Sequence, residues 1–310
     1  MHLAVYLPLL LPVLAGLAAG PLARRLEPRL ATWLLTAAGL ILAASSTVVL
    51  GLLALSGLVR IPLVAALKDY SPDVIAREDP AAWPASLAGA ILLTLAAVAT
   101  VRLAARRAGA LWSAALDAAC LPGPDPVVII DDHGADAYAM PGLPGRIVIS
   151  HGMLDALDPA GHEILLAHER AHLDHHHYAF LSLAQLSAAA NPLLHPLATA
   201  VAYTVERWAD EHAAHHAGNR RAVAETVAKA AVATKRTRNR RRIPTAALGL
   251  LGRPAKPGTV PRRVAALLAP PPHNPPLLLL AAGTLLAASG LCALEAAHDL
   301  HQFLELAHTH

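Results

Sequence analysis

Charge is scarce in this chain. Charged residues make up 15% of its 310 positions, against about 25% in a soluble domain, which argues against a chain soluble along its whole length. Aromatic residues make up 4%, so Ala and Leu carry most of the 55% hydrophobic content. Cysteine is nearly absent: Cys120 and Cys292 stand far apart and neither belongs to a CxxC pair, so no disulfide framework is indicated. No internal repeat is visible, and Pro and Gly are scattered, which excludes a low-complexity chain. The first apolar run has no basic stretch before it, as a cleaved signal peptide would need. Its arginines follow it, and it reads as a retained span.

Long uncharged runs are what the chain does have. A spanning helix needs about 20 mostly apolar residues, and four stretches qualify: 3–23, 33–55, 83–101 and 275–294. Helices in a soluble core keep a polar face, and these do not. Arg24, Arg25 and Arg29 follow the first stretch, and Arg102, Arg106 and Arg107 follow the third. Basic flanks stay on the cytoplasmic side. The expectation is therefore an integral protein of the bacterial cytoplasmic membrane with both termini external. Residues 102–274 would form a cytoplasmic domain, and 295–310 a short external tail. That tail carries His298, His301, His308 and His310 and reads as the polar end of a helix, with a metal-sensing tail as the alternative.

The cytoplasmic stretch is mixed. A helix is expected over about 103–119, then strands over 126–132, 135–140 and 146–150, β-branched and separated by Pro/Gly turns. A long helix follows, with Asp158 as N-cap and Pro159 at its first position. It contains His168-Glu169-Arg170-Ala171-His172, an HExxH motif. Residues four apart share one helix face, so both imidazoles can reach one ion. Glu169 is placed beside the ion, where it can take a proton from an attacking water. A third ligand is needed. The metzincin pattern fails, because His175 and Tyr178 occupy its Gly and His positions. The remaining solution is a Glu on a later helix, and "VERWADEH" offers Glu206 with Asp210 one turn on. Glu206 reads as ligand and Asp210 as the carboxylate that orients a ligating His; Glu211 is the competing ligand. His175, His176 and His177 read as solvated histidines at the membrane surface, with His176 on the face of His172.

Between motif and third ligand, 178–203 is an uncharged run broken by Asn191-Pro192 and His195-Pro196. A straight span would put the ligands on opposite sides of the bilayer, so the run is expected to dip into the membrane and return as a helical hairpin.

The apolar spans, "GRIVIS", "AHERAH", the NP-containing run and "ERWAD" together resemble the BlaR/MecR family of integral-membrane zinc metallopeptidases. These are gluzincins similar in their catalytic core to HtpX and the CAAX-prenyl endopeptidases. The resemblance implies a mostly α polytopic membrane protein with four transmembrane helices and a cytoplasmic gluzincin-type α+β metallopeptidase domain. It implies a zinc metalloendopeptidase with Zn²⁺ on His168, His172 and Glu206 and Glu169 as general base. The strand Arg146, Ile147, Val148, Ile149, Ser150 would be the edge that receives substrate backbone. It further implies a protein substrate such as a cytoplasmic transcriptional repressor cut during signal transduction. Only 295–310 follow the fourth span, without an SxxK serine, so the penicillin-binding sensor domain of the best-known members is not expected. Two rival functions stay open: an HtpX-like quality-control protease and a non-enzymatic metal-responsive membrane receptor. Partners are the protein substrate and the lipid bilayer; a homodimer is compatible with this reading. The run Lys235–Arg242, continued by Arg253, Lys256, Arg262 and Arg263, reads as a solvated linker, with lipid contact second. Direct nucleic-acid binding is not expected, since no aromatic or fold signature accompanies the run. His215, His216 and Arg220 are the candidates for steadying charge in the transition state.

Overall fold

The computed structural model describes residues 7–58, 82–238 and 258–271, with single positions between 276 and 298. The loop after the second apolar stretch, about half of the fourth stretch, nearly all of the tail, and Arg240–Arg242, Arg253 and Lys256 of the basic run lie outside the described residues. In chain order the elements are α1 (Leu7–Arg25), α2 (Pro28–Leu58), α3 (Ala82–Cys120), β1 (Val127–Ile130), β2 (Ala137–Met140) and β3 (Arg146–Ser150). They continue with α4 (His151–Leu154), α5 (Pro159–Asp174), α6 (His177–Ala190), α7 (His195–Ala217), α8 (Arg220–Arg238) and α9 (Thr259–Leu268).

Two of these helices are long and apolar enough to cross a membrane, Pro28–Leu55 and Trp83–Cys120. The expected break after residue 101 does not occur. α3 runs unbroken for 39 residues, about 58 Å at 1.5 Å per residue, roughly twice the apolar thickness of a bilayer. No proline follows Trp83-Pro84 in it, and its arginines are good helix formers, so nothing ends the helix where the apolar run stops.

The uncharged run after the motif turns back. α6 ends at Asn191, whose side chain accepts from the Leu193 N–H and so stabilises the 3₁₀ turn Pro192–Leu194; α7 then starts at His195 with Pro196 in its first turn. The hairpin packs on α1 and α2 through Leu11, Ala15, Leu42, Phe180, Leu194, Leu197 and Val201. Its turn is pinned where Asn191 Nδ2 donates to Ser46 Oγ at 3.0 Å. Its other end is pinned where Thr32 Oγ1 donates to Thr204 Oγ1 at 2.9 Å. From Thr32 to Ser46 is about 20 Å along α2, so the hairpin lies alongside the apolar helices over much of their length. Gly39 permits this closeness: a Cβ there would stand 3.1 Å from Leu197 Cδ2.

Beyond the apolar helices lies a three-stranded sheet of order β1-β3-β2. β3 pairs parallel with β1 and antiparallel with β2. Alternate residues of β3 face opposite sides. Ile147 and Ile149 meet Leu157 and Leu165 beneath α5, while Val148 meets Ala114 and Ala118 of α3. Each of these three β3 side chains is 1% exposed, and burial of a Val or Ile contributes about 1.5–3 kcal/mol. This corrects the substrate-edge assignment of Arg146, Ile147, Val148, Ile149 and Ser150. β3 is the central strand, covered on both faces and hydrogen-bonded on both sides, so it has no row of free N–H groups to offer. The edges are β1 and β2.

Candidate metal centre

α5 starts as its sequence dictates. Asp158 accepts from the Gly161 N–H at 2.8 Å and Pro159 opens the helix. This cap sets the helix phase, so His168 and His172 emerge on one face, toward α7. Their Nε2 atoms are 3.3 Å apart. Glu206 on α7 brings Oε2 to 3.8 Å from His168 Nε2 and Oε1 to 3.8 Å from His172 Nε2. Ligand atoms of all three residues lie within 4.8 Å of one another. A tetrahedral ion with bonds of about 2.0–2.1 Å has ligand atoms about 3.3–3.4 Å apart, so two imidazoles and one carboxylate at these separations suit Zn²⁺ and leave a fourth position open. Glu211, the competing ligand, faces elsewhere and pairs with Arg220 at 2.9 Å.

Each part of the cluster is braced from outside. Asp210 Oδ1 lies 3.1 Å from His168 Nδ1, which fixes the ring with Nε2 inward. Asp210 is itself held by Arg263, whose Nε and Nη2 donate to its two oxygens at 2.7 and 2.6 Å. Arg263 Nη1 also reaches Glu206 Oε2 at 2.7 Å. One guanidinium therefore binds two carboxylates, leaving Oε1 of Glu206 free. Burial alone would raise the Asp210 carboxyl; Arg263, with its charge and hydrogen bonds, and His168 hold it well below the usual range. Burial opposes the Arg263 charge, yet Asp210 and Glu206 outweigh it and raise the guanidinium. Burial likewise opposes a charged His168, and Asp210 more than offsets it. His172 lacks a carboxylate of its own, and burial with His168 beside it pushes it well down. Neutral imidazole is the form that ligates a metal.

Glu169 lies off the ligand face and is 8% exposed. Burial raises its carboxyl above the ordinary value, and the Ala139 N–H donates to it. That bond fixes which edge of the sheet faces the site. The Ser150 N–H donates to Asp136 O, so in the antiparallel register residues 136, 138 and 140 bond toward β3, while Ala137 and Ala139 point outward. The free edge of β2 faces Glu169.

Two braces were not anticipated in the sequence. Arg263 falls in what read as a solvated linker, yet it is 8% exposed. Arg262 beside it is exposed. α9 presents Arg263 and Leu267 on its buried face, and Arg220 caps its last carbonyls, donating to Ala266 O and Leu267 O at 2.8 and 3.0 Å. Arg220 is thus a strut, and His215 and His216 are exposed. Of the cations considered, Arg263 is the one that touches the cluster. The second is His177. The three consecutive histidines were expected to be solvated, which describes His176 alone. His176 adopts φ 49°, ending α5 and turning the chain. His175 stacks on Trp208 at 4.7 Å. His177 is fully buried, its Nδ1 3.0 Å from His172 Nδ1, and burial, with His172 next to it, drives its imidazole far below the usual range.

A comparison with protein families agrees with this geometry. The model of peptidase family M48 matches residues 103–310, about two thirds of the chain. The chain belongs to peptidase family M48. Among curated proteins and among solved structures nothing matches it. Family M48 makes the chain a metallopeptidase, and the matched region contains the sheet, both ligand helices and Arg263. The ligand choice has a direct check. Glu206→Ala should strip the bound metal, while Glu211→Ala should leave it in place and cost at most about 1 kcal/mol for a partly exposed ion pair. Metal analysis of the two purified variants decides it.

Proposed function

We propose that this M48 peptidase is a membrane-embedded zinc endopeptidase that works at the cytoplasmic face and cuts a regulatory protein. The observation that carries the reading is the meeting of His168, His172 and Glu206 at metal-ligand distances, with Glu169 beside them and a free strand edge next to Glu169. Zn²⁺, when bound there, would polarise a scissile carbonyl and make a water acidic. Glu169 would take the proton from that water and pass it to the leaving amine. A raised carboxyl brings the base nearer the working pH. Asp210 and Arg263 would hold the ligands still.

Substrate would lie along β2. An extended peptide can add to that edge through the N–H and C=O of Ala137 and the C=O of Ala139, whose N–H is taken by Glu169, aligning its scissile bond beside Glu169. Ala137→Pro tests this. It removes an outward N–H without touching the β2–β3 ladder, and Pro is tolerated on an edge strand. Cleavage should fall at least tenfold with zinc content and melting temperature unchanged; full activity would reject β2 as the substrate edge.

The four-span, cytoplasm-facing topology rests on charge and on one contact. Arg207, beside Glu206, is 3% exposed and donates to Ala23 O at 2.6 Å. The metal helix is thereby tied to the α1–α2 connection, the end that carries Arg24, Arg25 and Arg29. Reporter fusions after Arg107 and within 236–242 should read cytoplasmic, and those after Asp73 and His310 external. A cytoplasmic C-terminus would overturn the span count.

The regulatory substrate follows the BlaR/MecR resemblance, in which a repressor is cut. The test is a proteome comparison between wild type and Glu169→Gln. A single soluble protein that persists uncut in the variant supports this reading. Accumulation of many membrane proteins would replace it with the quality-control protease, and no difference at all with zinc still bound would favour the receptor.

A further inference from the structure

Of the buried polar groups around the metal centre, His177 has no role in the chemistry above, yet it sits where a role is needed. Its ring is fully buried, packed between His172, at 4.9 Å between ring centres, and Trp208, at 4.8 Å. Its Nδ1 lies 3.0 Å from His172 Nδ1. Its Nε2 is buried with no hydrogen-bond partner among the described residues. A Leu or Phe would fill this space without leaving a polar atom buried and unpartnered, which is destabilising. The imidazole is therefore an expensive filler unless its Nδ1 is used.

We infer that His177 is a positioning residue that accepts the Nδ1–H of His172 and so presents His172 Nε2 to the metal. Only one proton can lie between the two Nδ1 atoms. If it sits on His177, His172 must carry its own proton on Nε2, where the metal has to bind. If it sits on His172, Nε2 is free to ligate and His177 holds its remaining proton on the unpartnered Nε2. Metal binding selects the second arrangement. The two ligating histidines are thus braced differently, His168 by the carboxylate of Asp210 and His172 by a neutral ring. The backbone makes this reachable. On an unbroken helix, residue 177 would lie five positions beyond His172, well off its face. The left-handed His176 turns the chain and swings His177 round onto His172.

The inference rests on zinc occupying the proposed site and concerns affinity rather than cleavage. The experiment uses the full chain in detergent and measures zinc affinity by competition with a chromophoric chelator. The variants are His177→Phe, which keeps a ring without an acceptor, and His177→Asn, which keeps an acceptor. Losing such a partner typically weakens metal binding 10–100-fold. His177→Phe should show that loss, and His177→Asn should stay within a few-fold of wild type. Nitrogen-15 spectra of zinc-loaded wild type should show the His172 proton on Nδ1. Should His177→Phe fail to fold, His177→Leu against the near-isosteric His177→Asn makes the same comparison. Equal affinity in wild type and the Phe or Leu variant would overturn the inference, as would equal losses in the Asn and Phe or Leu variants. A wild type that binds no zinc would overturn the proposed function with it.

Discussion

Glu169→Gln should abolish cleavage while leaving zinc bound. The substitution keeps the size and shape of the side chain, and the Ala139 N–H that donates to Glu169 can donate to the Gln oxygen instead. The ligand atoms of His168, His172 and Glu206 are untouched. What disappears is a carboxylate able to take a proton from the attacking water. General-base catalysis contributes about 10²–10⁴-fold, or about 3–5 kcal/mol of barrier. Cleavage of any substrate protein should fall by at least that order, with zinc stoichiometry and melting temperature unchanged. A Gln variant that keeps zinc and cuts at the wild-type rate would rule out the peptidase mechanism.

The features legible in the sequence were those set by short-range rules. The HExxH spacing, the Asp158-Pro159 helix start and the NP turn each depend on a few neighbouring residues, and each appears where the pattern puts it. Glu206 is preferred to Glu211 on its ExxxD spacing to Asp210, one turn on and on the same helix face, and it is Glu206 that meets the two histidines. The order of the strands was not legible. "RIVIS" has the same composition as an edge or as a centre, and only long-range pairing with β1 and β2 makes it central. An unbroken apolar run was nonetheless a signal of burial on both faces. His177 was hidden by backbone conformation. Helical spacing points to His176 as the neighbour of His172, and a single residue at positive φ hands that place to the next one. Arg263 was hidden by its company. Among many arginines nothing local marks the buried one, although its position four residues before Leu267 puts it on the same helix face as that buried leucine, a weak cue.

Arg263→Ala should damage both stability and metal binding, the broadest effect expected of any single change outside the ligands. Asp210 is 1% exposed and would keep a buried charge without its guanidinium; removing one partner of such a pair costs about 3–5 kcal/mol. α9 would lose its main polar attachment to α7. Glu206 Oε2 would lose its 2.7 Å contact, freeing the carboxylate to rotate, and zinc affinity should drop about 10–100-fold. Lys at this position should recover little, since a point charge cannot replace a planar fork that engages two carboxylates. The two effects can be pulled apart with Asp210→Asn combined with Arg263→Met. The pair removes both charges, Met fills much of the lost volume, and the Asn oxygen can still accept from His168 Nδ1. Thermal melts should return most of the way to wild type, because no buried charge is left unpaired. Zinc affinity should stay low, because Glu206 is still unclamped. If the double variant recovers zinc affinity along with stability, Arg263 acts on the metal centre through Asp210 alone and its contact with Glu206 is incidental. If Arg263→Ala melts and binds zinc like wild type, the guanidinium bridge does not hold the site together.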